Sequence, residues 1–128
     1  MSTVPTILVV EDEVLIRMFA ADIAEDAGYR VIEAVDAVDA MNKLEANPEI
    51  GVVFTDIHMP GPFDGLAMSH MAKERWPALR FLIVSGHRLP SEVDLADDSR
   101  FIPKPYGVGE ITLALKEITT DWTLSARA

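Results

Sequence analysis

The sequence predicts a single α/β domain in which a parallel sheet carries helices on both faces. Five short apolar runs alternate with longer stretches whose apolar residues recur at helical spacing. This alternation is typical of parallel strands joined by right-handed helical crossovers. The length of 128 residues fits one domain, and no internal repeat or interdomain linker divides the chain.

The first strand and the first helix have clear signals. Residues 6–10 are apolar and rich in β-branched side chains, as expected of a strand that is buried on both faces. Leu15, Phe19 and Ile23 then recur every four residues, which is the spacing of an amphipathic helix. Gly28 follows and predicts the end of that helix.

The next three elements follow the same rules. A less apolar strand is predicted over 29–33, and Asp36 then caps a helix that stops before Pro48. The third strand is predicted over 51–55, and Asp56 ends it.

The second half of the chain begins with a loop over 58–63, which is too rich in proline and glycine for regular structure. Asp64 opens a third helix that runs to Arg75. The fourth strand is predicted over 80–84, and a short fifth strand over 101–102.

The connection between the last two strands is the weakest part of the pattern. Residues 87–99 offer few apolar positions, so the fourth helix is expected to be short or irregular. In the last helix, Ile111, Leu115 and Ile118 share one face. Residues 121–128 are interpreted as a short tail with no output domain.

A proline predicts where the fifth strand lies. Pro103 lacks the N–H that a central strand donates, so its strand belongs at an edge of the sheet. The flavodoxin-like strand order 2-1-3-4-5 puts the fifth strand at an edge. The predicted fold is therefore a flavodoxin-like (βα)5 doubly wound parallel sheet in that order.

The composition excludes several classes of function. Eleven Lys and Arg against 21 Asp and Glu give a net charge of −10, which disfavours direct binding to nucleic acid or to anionic membranes. The chain has no cysteine, so thiolate metal sites and cysteine nucleophiles are ruled out. The apolar runs are too short for membrane insertion and no export signal is visible, so a cytoplasmic location is expected.

Polar residues follow four of the five predicted strands at the point where each strand ends. They are Glu11, Asp12, Asp56, Ser85 and Lys104. In an open α/β sheet, sites form beyond the carboxyl ends of the strands, near the switch in strand order. The three carboxylates are therefore expected to share one cleft, with a hydroxyl and an ammonium group nearby.

Three carboxylates in one cleft call for a cation, because like charges raise one another's pKa and cost stability. Carboxylates with room for water suit Mg²⁺ or Mn²⁺. The ammonium of Lys104 and the hydroxyl of Ser85 are suited to binding phosphoryl oxygens. The backbone N–H groups of His58 and Gly86 can do the same. This combination predicts a site that accepts a phosphoryl group.

At these positions the chain resembles the receiver domain of two-component response regulators. The resemblance extends over nearly all of residues 1–128 and rests on five segments in the expected order. They are VVEDE at 9–13, TDIHMP at 55–60, DG at 64–65, VSG at 84–86 and FIPKP at 101–105. One residue more than usual separates Asp56 from Asp64, and the stretch from Ser85 to Lys104 is shorter than is common in the family.

The resemblance implies a role for each site residue. Asp56 would be the phosphoacceptor, and Lys104 would pair with the phosphoryl group. Asp12, Asp56 and the backbone carbonyl of His58 would hold Mg²⁺ directly. Glu11 would act on the ion mainly through water.

The resemblance also implies which residues respond to phosphorylation. Ser85 would be the switch hydroxyl that swings toward the phosphate, and Phe101 would be the aromatic residue that follows it inward. The prolyl bond after Lys104 is expected to be cis. His58 and His87 occupy positions that influence, in the family, how fast the phosphate is lost.

The implied partners are those of two-component signalling. The phosphoryl group would come from a sensor histidine kinase, a histidine phosphotransferase or a small phosphodonor. The phosphorylated protein would act through an unidentified downstream protein, as a monomer or as a phosphorylation-dependent dimer. A receiver catalyses only its own phosphorylation and dephosphorylation, so no enzyme activity on an external substrate is expected.

Three other functions stay open on the residues alone. A phosphatase of the haloacid dehalogenase type would use the same groups, but it needs a second aspartate two residues after Asp12, where the chain has Val14. A flavin-binding module needs Ser, Thr and Gly after the first strand, where 11–13 are acidic. A degenerate receiver that serves only as a scaffold is the third, and the irregular fourth helix keeps it open.

Overall fold

A five-stranded parallel sheet forms the framework of the protein. The computed structural model describes residues 4–87 and 93–127. The strands are β1 (Thr6–Val10), β2 (Val31–Ala34), β3 (Ile50–Asp56), β4 (Arg80–Ser85) and β5 (Ser99–Pro103). The helices of the described residues are α1 (Val14–Asp26), α2 (Ala37–Ala46), α3 (Gly65–Arg75) and α4 (Val108–Arg127). None of these four helices is long and apolar enough to cross a membrane.

The strands lie in the order β2-β1-β3-β4-β5, which confirms the predicted flavodoxin-like fold. Every residue of the central strands β1 and β3 is buried. Alternate side chains therefore enter two separate cores, one on each face of the sheet. Ile7 and Val9 pack in the core that α1 and α4 cover, and Leu8 and Val10 in the core that α2 and α3 cover.

The register of the strands brings their carboxyl ends to one edge of the sheet. Val10 pairs with Thr55, and Asp56 is the next residue and the last of β3. Ser85 pairs with Pro103, so β4 and β5 end side by side. The strand that contains Pro103 lies at an edge of the sheet, as the missing N–H predicts.

The buried face of α1 differs from the predicted one. Ile23 is buried, but Leu15 is 76% exposed and Phe19 is 48% exposed. The helix packs on the sheet through Ala20 and Ala24, whose small side chains let its axis approach the strands closely. Two of the three periodic residues therefore lie on the outside of the molecule.

The connection between β4 and β5 contains no helix in its described part. Residues 93–98 are irregular, and the residues just before them lie outside the description. His70 Nε2 lies 2.6 Å from the carbonyl oxygen of Asp94, and Lys73 Nζ donates to Asp98 Oδ2 at 2.8 Å. These contacts hold residues 93–98 against α3, in keeping with the expected short or irregular fourth helix.

The last helix includes residues that the sequence pattern assigned to a tail. It reaches Arg127, so residues 121–127 extend α4, whereas the sequence pattern left them outside the helix. Trp122 lies beside Gly51 of β3, where a Cβ would come within 2.5 Å of the indole ring. Because only glycine permits this close approach, the extension of α4 depends on a contact that local periodicity does not report.

Candidate functional site

Four strand ends place the candidate site at the carboxyl edge of the sheet. Glu11 follows β1, Asp56 ends β3, Ser85 ends β4 and Lys104 follows β5. The strand order changes direction at β1 and β3, and the crevice at such a switch point is where open α/β sheets bind ligands. The structure brings Lys104 into contact with both Asp56 and Glu11.

Lys104 is the positive charge that joins the carboxylates. Its Nζ donates to Asp56 Oδ2 at 2.8 Å and lies 3.5 Å from Glu11 Oε1. Burial alone would lower the pKa of Lys104, but the hydrogen bond to Asp56 and the charges of both carboxylates outweigh burial and raise it. Lys104 therefore stays protonated at neutral pH as the counter-ion of Asp56.

Glu11 is a buried carboxylate, with a side chain only 5% exposed. Its Oε2 accepts the backbone N–H of Glu13 at 3.1 Å. Burial, a hydrogen bond with the side chain of Asp12 and the charge of Asp56 together raise the pKa of Glu11 to about 7. The site thus holds more negative charge than the single ammonium of Lys104 can neutralise.

The donor set fits a hard divalent cation. The exposed Asp12 shares a hydrogen bond with the buried Glu11, and the charge of Asp56 also acts on Glu11. A cation at these carboxylates would relieve their repulsion. In residues 4–87 and 93–127, no three His, Asp or Glu side chains are grouped so as to hold a metal ion by themselves. Mg²⁺ does not require such a group, because it binds through one or two carboxylates and keeps several waters.

Ser85 is fully buried at the end of β4. Its hydroxyl oxygen accepts the backbone N–H of His87 at 3.2 Å, and its carbonyl oxygen accepts the N–H of Lys104 at 2.9 Å. Gly86 is exposed and lies beside Lys104. The peptide bond between Lys104 and Pro105 is cis, as the resemblance implies.

His58 and Phe101 occupy the loop after β3 and the edge strand β5. The backbone N–H of His58 donates to Asp56 Oδ1 at 3.3 Å, and its side chain is exposed. The imidazole of His58 contacts that of His87, a contact that the sequence did not predict. Phe101 is half-buried and pairs with Ile83, packing against the core on the α2 and α3 side of the sheet.

Gly65 positions Asp56, a role that the sequence analysis missed although the Asp-Gly pair was one of its motifs. The N–H of Gly65 donates to the carbonyl of Ile57 at 2.9 Å, and a Cβ at this position would collide with the backbone carbonyl of Asp56. Asp64 accepts the N–H of Ala67 at 2.8 Å and so caps α3. The Asp64–Gly65 pair therefore starts α3 directly against the end of β3.

An apolar surface flanks the site. The first two turns of α1 carry four large apolar side chains that are 48% to 76% exposed. We call them the α1 apolar surface: Val14, Leu15, Met18 and Phe19. Phe19 stacks on Tyr106 with 6.3 Å between ring centroids. A shallow pocket of about 390 Å³ is lined by Ile16, Phe19, Lys104, Pro105 and Tyr106, so this surface reaches the site at Lys104.

Comparison with known families decides what kind of domain this is. Residues 7–116 match the model of the response regulator receiver domain. The chain belongs to this family. Receiver domains are phosphorylation-dependent switches of two-component signalling. They interact with sensor kinases or phosphotransfer proteins and are generally Mg²⁺-dependent.

Individual relatives agree with this assignment. The sensor kinase CckA of Brucella abortus (strain 2308) is 30% identical over 121 residues, which are 88% of this chain and 12% of CckA. The response regulator receiver protein CpdR of the same strain is 27% identical over 115 residues, 88% of this chain and 94% of CpdR. The crystal structure of the receiver domain of NtrX from Brucella abortus matches with a TM-score of 0.78 and 30% identity, covering 89% of this chain and 98% of that one. Because this chain spans only a small part of CckA, the activity of the whole kinase is not carried over.

Proposed function

We propose that this receiver accepts a phosphoryl group on Asp56 from a phosphohistidine, with Mg²⁺ or Mn²⁺ bound beside it. The observation that carries the proposal is the 2.8 Å contact between Lys104 Nζ and Asp56 Oδ2 at the end of the central strand β3. The side chain of Asp56 keeps 11% of its surface exposed, so a donor can reach it from the mouth of the cleft.

Positioning and charge neutralisation supply most of the rate of phosphoryl transfer, and the protein contributes little covalent chemistry. A carboxylate oxygen of Asp56 bonds to phosphorus while the P–N bond of the donor breaks, and its electron pair stays on the donor imidazole. Lys104 neutralises part of the charge on the transferred oxygens, and the backbone N–H groups of His58 and Gly86 donate to them. Later attack of water on phosphorus releases inorganic phosphate and restores Asp56, so the protein acts only on itself.

The acidic residues have separate parts in metal binding. Asp12, Asp56 and the backbone carbonyl of His58 would hold the ion directly, and Glu11 would act mainly through water. The ion supplies positive charge against the phosphoryl oxygens. The buried carboxylate of Glu11 supports this proposal. Burial and the charge of Asp56 raise its pKa to about 7, and a cation beside it would relieve the cost of its ionised form.

Ser85 and Phe101 carry the proposed response to phosphorylation. The Ser85 hydroxyl would donate to a phosphoryl oxygen, and Phe101 would follow it inward. A few charge-assisted hydrogen bonds of about 1.5–3 kcal/mol each reach the roughly 5.5 kcal/mol that converts a 1:99 equilibrium to 99:1. The altered surface would then bind a downstream protein or a second phosphorylated copy, so the protein is a monomer or a phosphorylation-dependent dimer.

The α1 apolar surface is the proposed docking face for the phosphodonor, a sensor histidine kinase or a histidine phosphotransferase. It reaches Lys104 through the pocket beside Phe19 and Tyr106. A phosphohistidine must approach Asp56 from a protein seated next to the cleft, and exposed apolar patches mark such interfaces. We place this receiver domain in the cytoplasm. Its net charge of −10 disfavours direct binding to nucleic acid.

Intact-mass spectrometry tests the proposed function. The protein is incubated with Mg²⁺ and acetyl phosphate beside Asp56→Asn and a matched control, Asp22→Asn, which changes an exposed aspartate of α1. We expect the wild type and Asp22→Asn to gain one phosphoryl group and Asp56→Asn to gain none. If small donors fail, Mg²⁺-dependent binding of the phosphoryl mimic beryllofluoride reports whether the site is competent. A protein that shows neither reaction nor binding contradicts the proposal and favours the scaffold function.

A further inference from the structure

Two histidines of different loops contact each other beside the site. The rings of His58 and His87 lie edge to face, with 4.8 Å between centroids and an interplanar angle of 89°. His58 belongs to the loop after β3 and His87 to the loop after β4, and both side chains are exposed. The ring pair therefore bridges the two loops that follow the central strand and its neighbour.

Each histidine is also joined through its backbone to one group of the site. The N–H of His58 donates to Asp56 Oδ1 at 3.3 Å. The N–H of His87 donates to Ser85 Oγ at 3.2 Å. The ring contact completes a continuous path from the carboxylate of Asp56 to the hydroxyl of Ser85.

We propose that His58 and His87 act as a pair of positioning residues that couples the state of Asp56 to the position of the loop after β4. This inference rests on the proposed function, because it takes Asp56 as the phosphoacceptor and Ser85 as the hydroxyl that moves. In this arrangement Ser85 Oγ accepts the N–H of His87 at 3.2 Å. The pair therefore stabilises this position of the hydroxyl relative to one in which Ser85 has left that N–H for a phosphoryl oxygen.

The ring contact adds to a backbone link that already joins the two loops, so a weak contact is sufficient for this coupling. Nearer the sheet, the N–H of Ile57 donates to the carbonyl of Val84 at 3.1 Å, which fixes the two strand ends against each other. The ring pair is a second link between the same chain segments, farther from the sheet. Edge-to-face aromatic pairs shift an equilibrium by about two- to tenfold. Such an effect modulates the switch without abolishing phosphorylation.

A double-mutant cycle on beryllofluoride binding in Mg²⁺ tests the coupling. We expect His58→Ala and His87→Ala each to tighten binding by about two- to tenfold, and the double variant to bind no tighter than either single variant. His87→Phe keeps a ring at this position and is expected to bind like the wild type. Additive effects of the two alanines, weaker binding in either one, or no restoration by phenylalanine would overturn the proposal.

Loop dynamics in the absence of Mg²⁺ and beryllofluoride separate this inference from the proposed function. Backbone NMR relaxation dispersion records microsecond-to-millisecond exchange in the loop after β4. We expect His58→Ala to increase exchange at Ser85 and Gly86, although the substitution lies in the other loop, and His58→Phe to leave it unchanged. Equal midpoints of thermal unfolding serve as the control for intact folding.

The outcomes of this second measurement are distinct. Unchanged relaxation in His58→Ala overturns the ring coupling, whatever reaction Asp56 undergoes. Increased exchange in a protein whose wild type binds no beryllofluoride supports the link between the loops and contradicts the proposed function instead.

Discussion

The charges around Lys104 explain why the site suits a cation. Lys104 donates to Asp56 and lies 3.5 Å from Glu11, yet one ammonium cannot balance both of them and Asp12. Glu11 is the most buried of the three carboxylates. Burial is the main reason that its pKa is raised, and the hydrogen bond with Asp12 and the charge of Asp56 raise it further.

Glu11 gives the metal-free protein a pH-dependent stability. Its pKa is raised from 4.5 to about 7, so the folded state binds this proton more tightly than the unfolded state does. The resulting stabilisation is full below pH 4.5 and is lost as the pH rises through about 7. We expect the free energy of unfolding to fall by about 3 kcal/mol from this group over that range, and Glu11→Gln to remove that part of the slope. Urea unfolding in EDTA measures both proteins, and equal slopes would argue against this assignment.

The affinity for Mg²⁺ also depends on the protonation of Glu11. A proton on Glu11 removes one of the charges that attract the ion, so Mg²⁺ affinity should decrease as the pH falls below about 7. Isothermal titration calorimetry from about pH 8 to pH 6 follows this change. The decrease should be smaller in Glu11→Gln, and an equal decrease in both proteins would assign the effect to another group.

The site residues at strand ends were predictable from the sequence, whereas the residues that position them were not. Asp56 and Lys104 were expected to share one cleft, because the ends of parallel strands meet at one edge, and they do. The contact between His58 and His87 and the close packing of Gly65 on Asp56 depend on loop conformation. Apolar periodicity carries no information on loop conformation.

At the scale of the elements, α1 shows that apolar periodicity does not determine which residues of a helix pack against the sheet. Apolar side chains at helical spacing define a face, but the sheet covers Ile23 and leaves Leu15 in solvent. The alanines at 20 and 24 occupy the place against the strands. We propose that a partner protein covers the apolar residues of α1 that remain exposed. The same limit applies to residues 93–98, whose contacts with α3 replace a helix that local propensity left uncertain.

The proposed docking role of α1 predicts a selective kinetic defect. The phosphorylation rate is measured with a phosphohistidine protein and with acetyl phosphate, and the first rate is divided by the second. Leu15→Ser should lower this ratio by about tenfold, because only the protein donor contacts this surface. Leu15 is 76% exposed, so the fold should tolerate the change. Leu113→Ser, at a position on α4 that is 58% exposed, is the matched control and should leave the ratio unchanged. An unchanged ratio in Leu15→Ser would contradict the proposal that the phosphodonor docks on α1.

At the scale of the whole molecule, the two ends of β3 have different roles: its start packs against α4, and its finish contributes to the candidate site. Gly51 near its start packs on Trp122, and Asp56 at its finish enters the site. Five residue steps of a parallel strand place these two ends about 16 Å apart. The number of strands was predictable because each strand is a local apolar run, and their order because Pro103 marks the last strand as an edge strand. The extension of α4 was not, since it depends on Trp122 reaching a glycine that is distant in sequence.

This separation predicts a substitution that weakens the fold and spares the chemistry. Gly51→Ala should lower the free energy of unfolding by about 1–3 kcal/mol, because its Cβ would press on the indole of Trp122. The folded fraction should still react at Asp56. Gly109→Ala adds a methyl group where nothing lies within 4 Å and is the matched control, with no loss of stability expected. Urea unfolding followed by tryptophan fluorescence measures both, and a Gly51→Ala protein as stable as the wild type would contradict the packing described here.

The most direct test of the central claim is to locate the acyl phosphate. Borohydride reduces the acyl phosphate of an aspartate to homoserine and leaves a free carboxylate intact, so peptide mass spectrometry of the treated protein reads the acceptor position. We predict homoserine at position 56 and unchanged aspartate at position 12 after phosphorylation in Mg²⁺. Homoserine at a different aspartate, or none in a protein whose mass shows a bound phosphoryl group, would contradict the assignment of Asp56 as the phosphoacceptor.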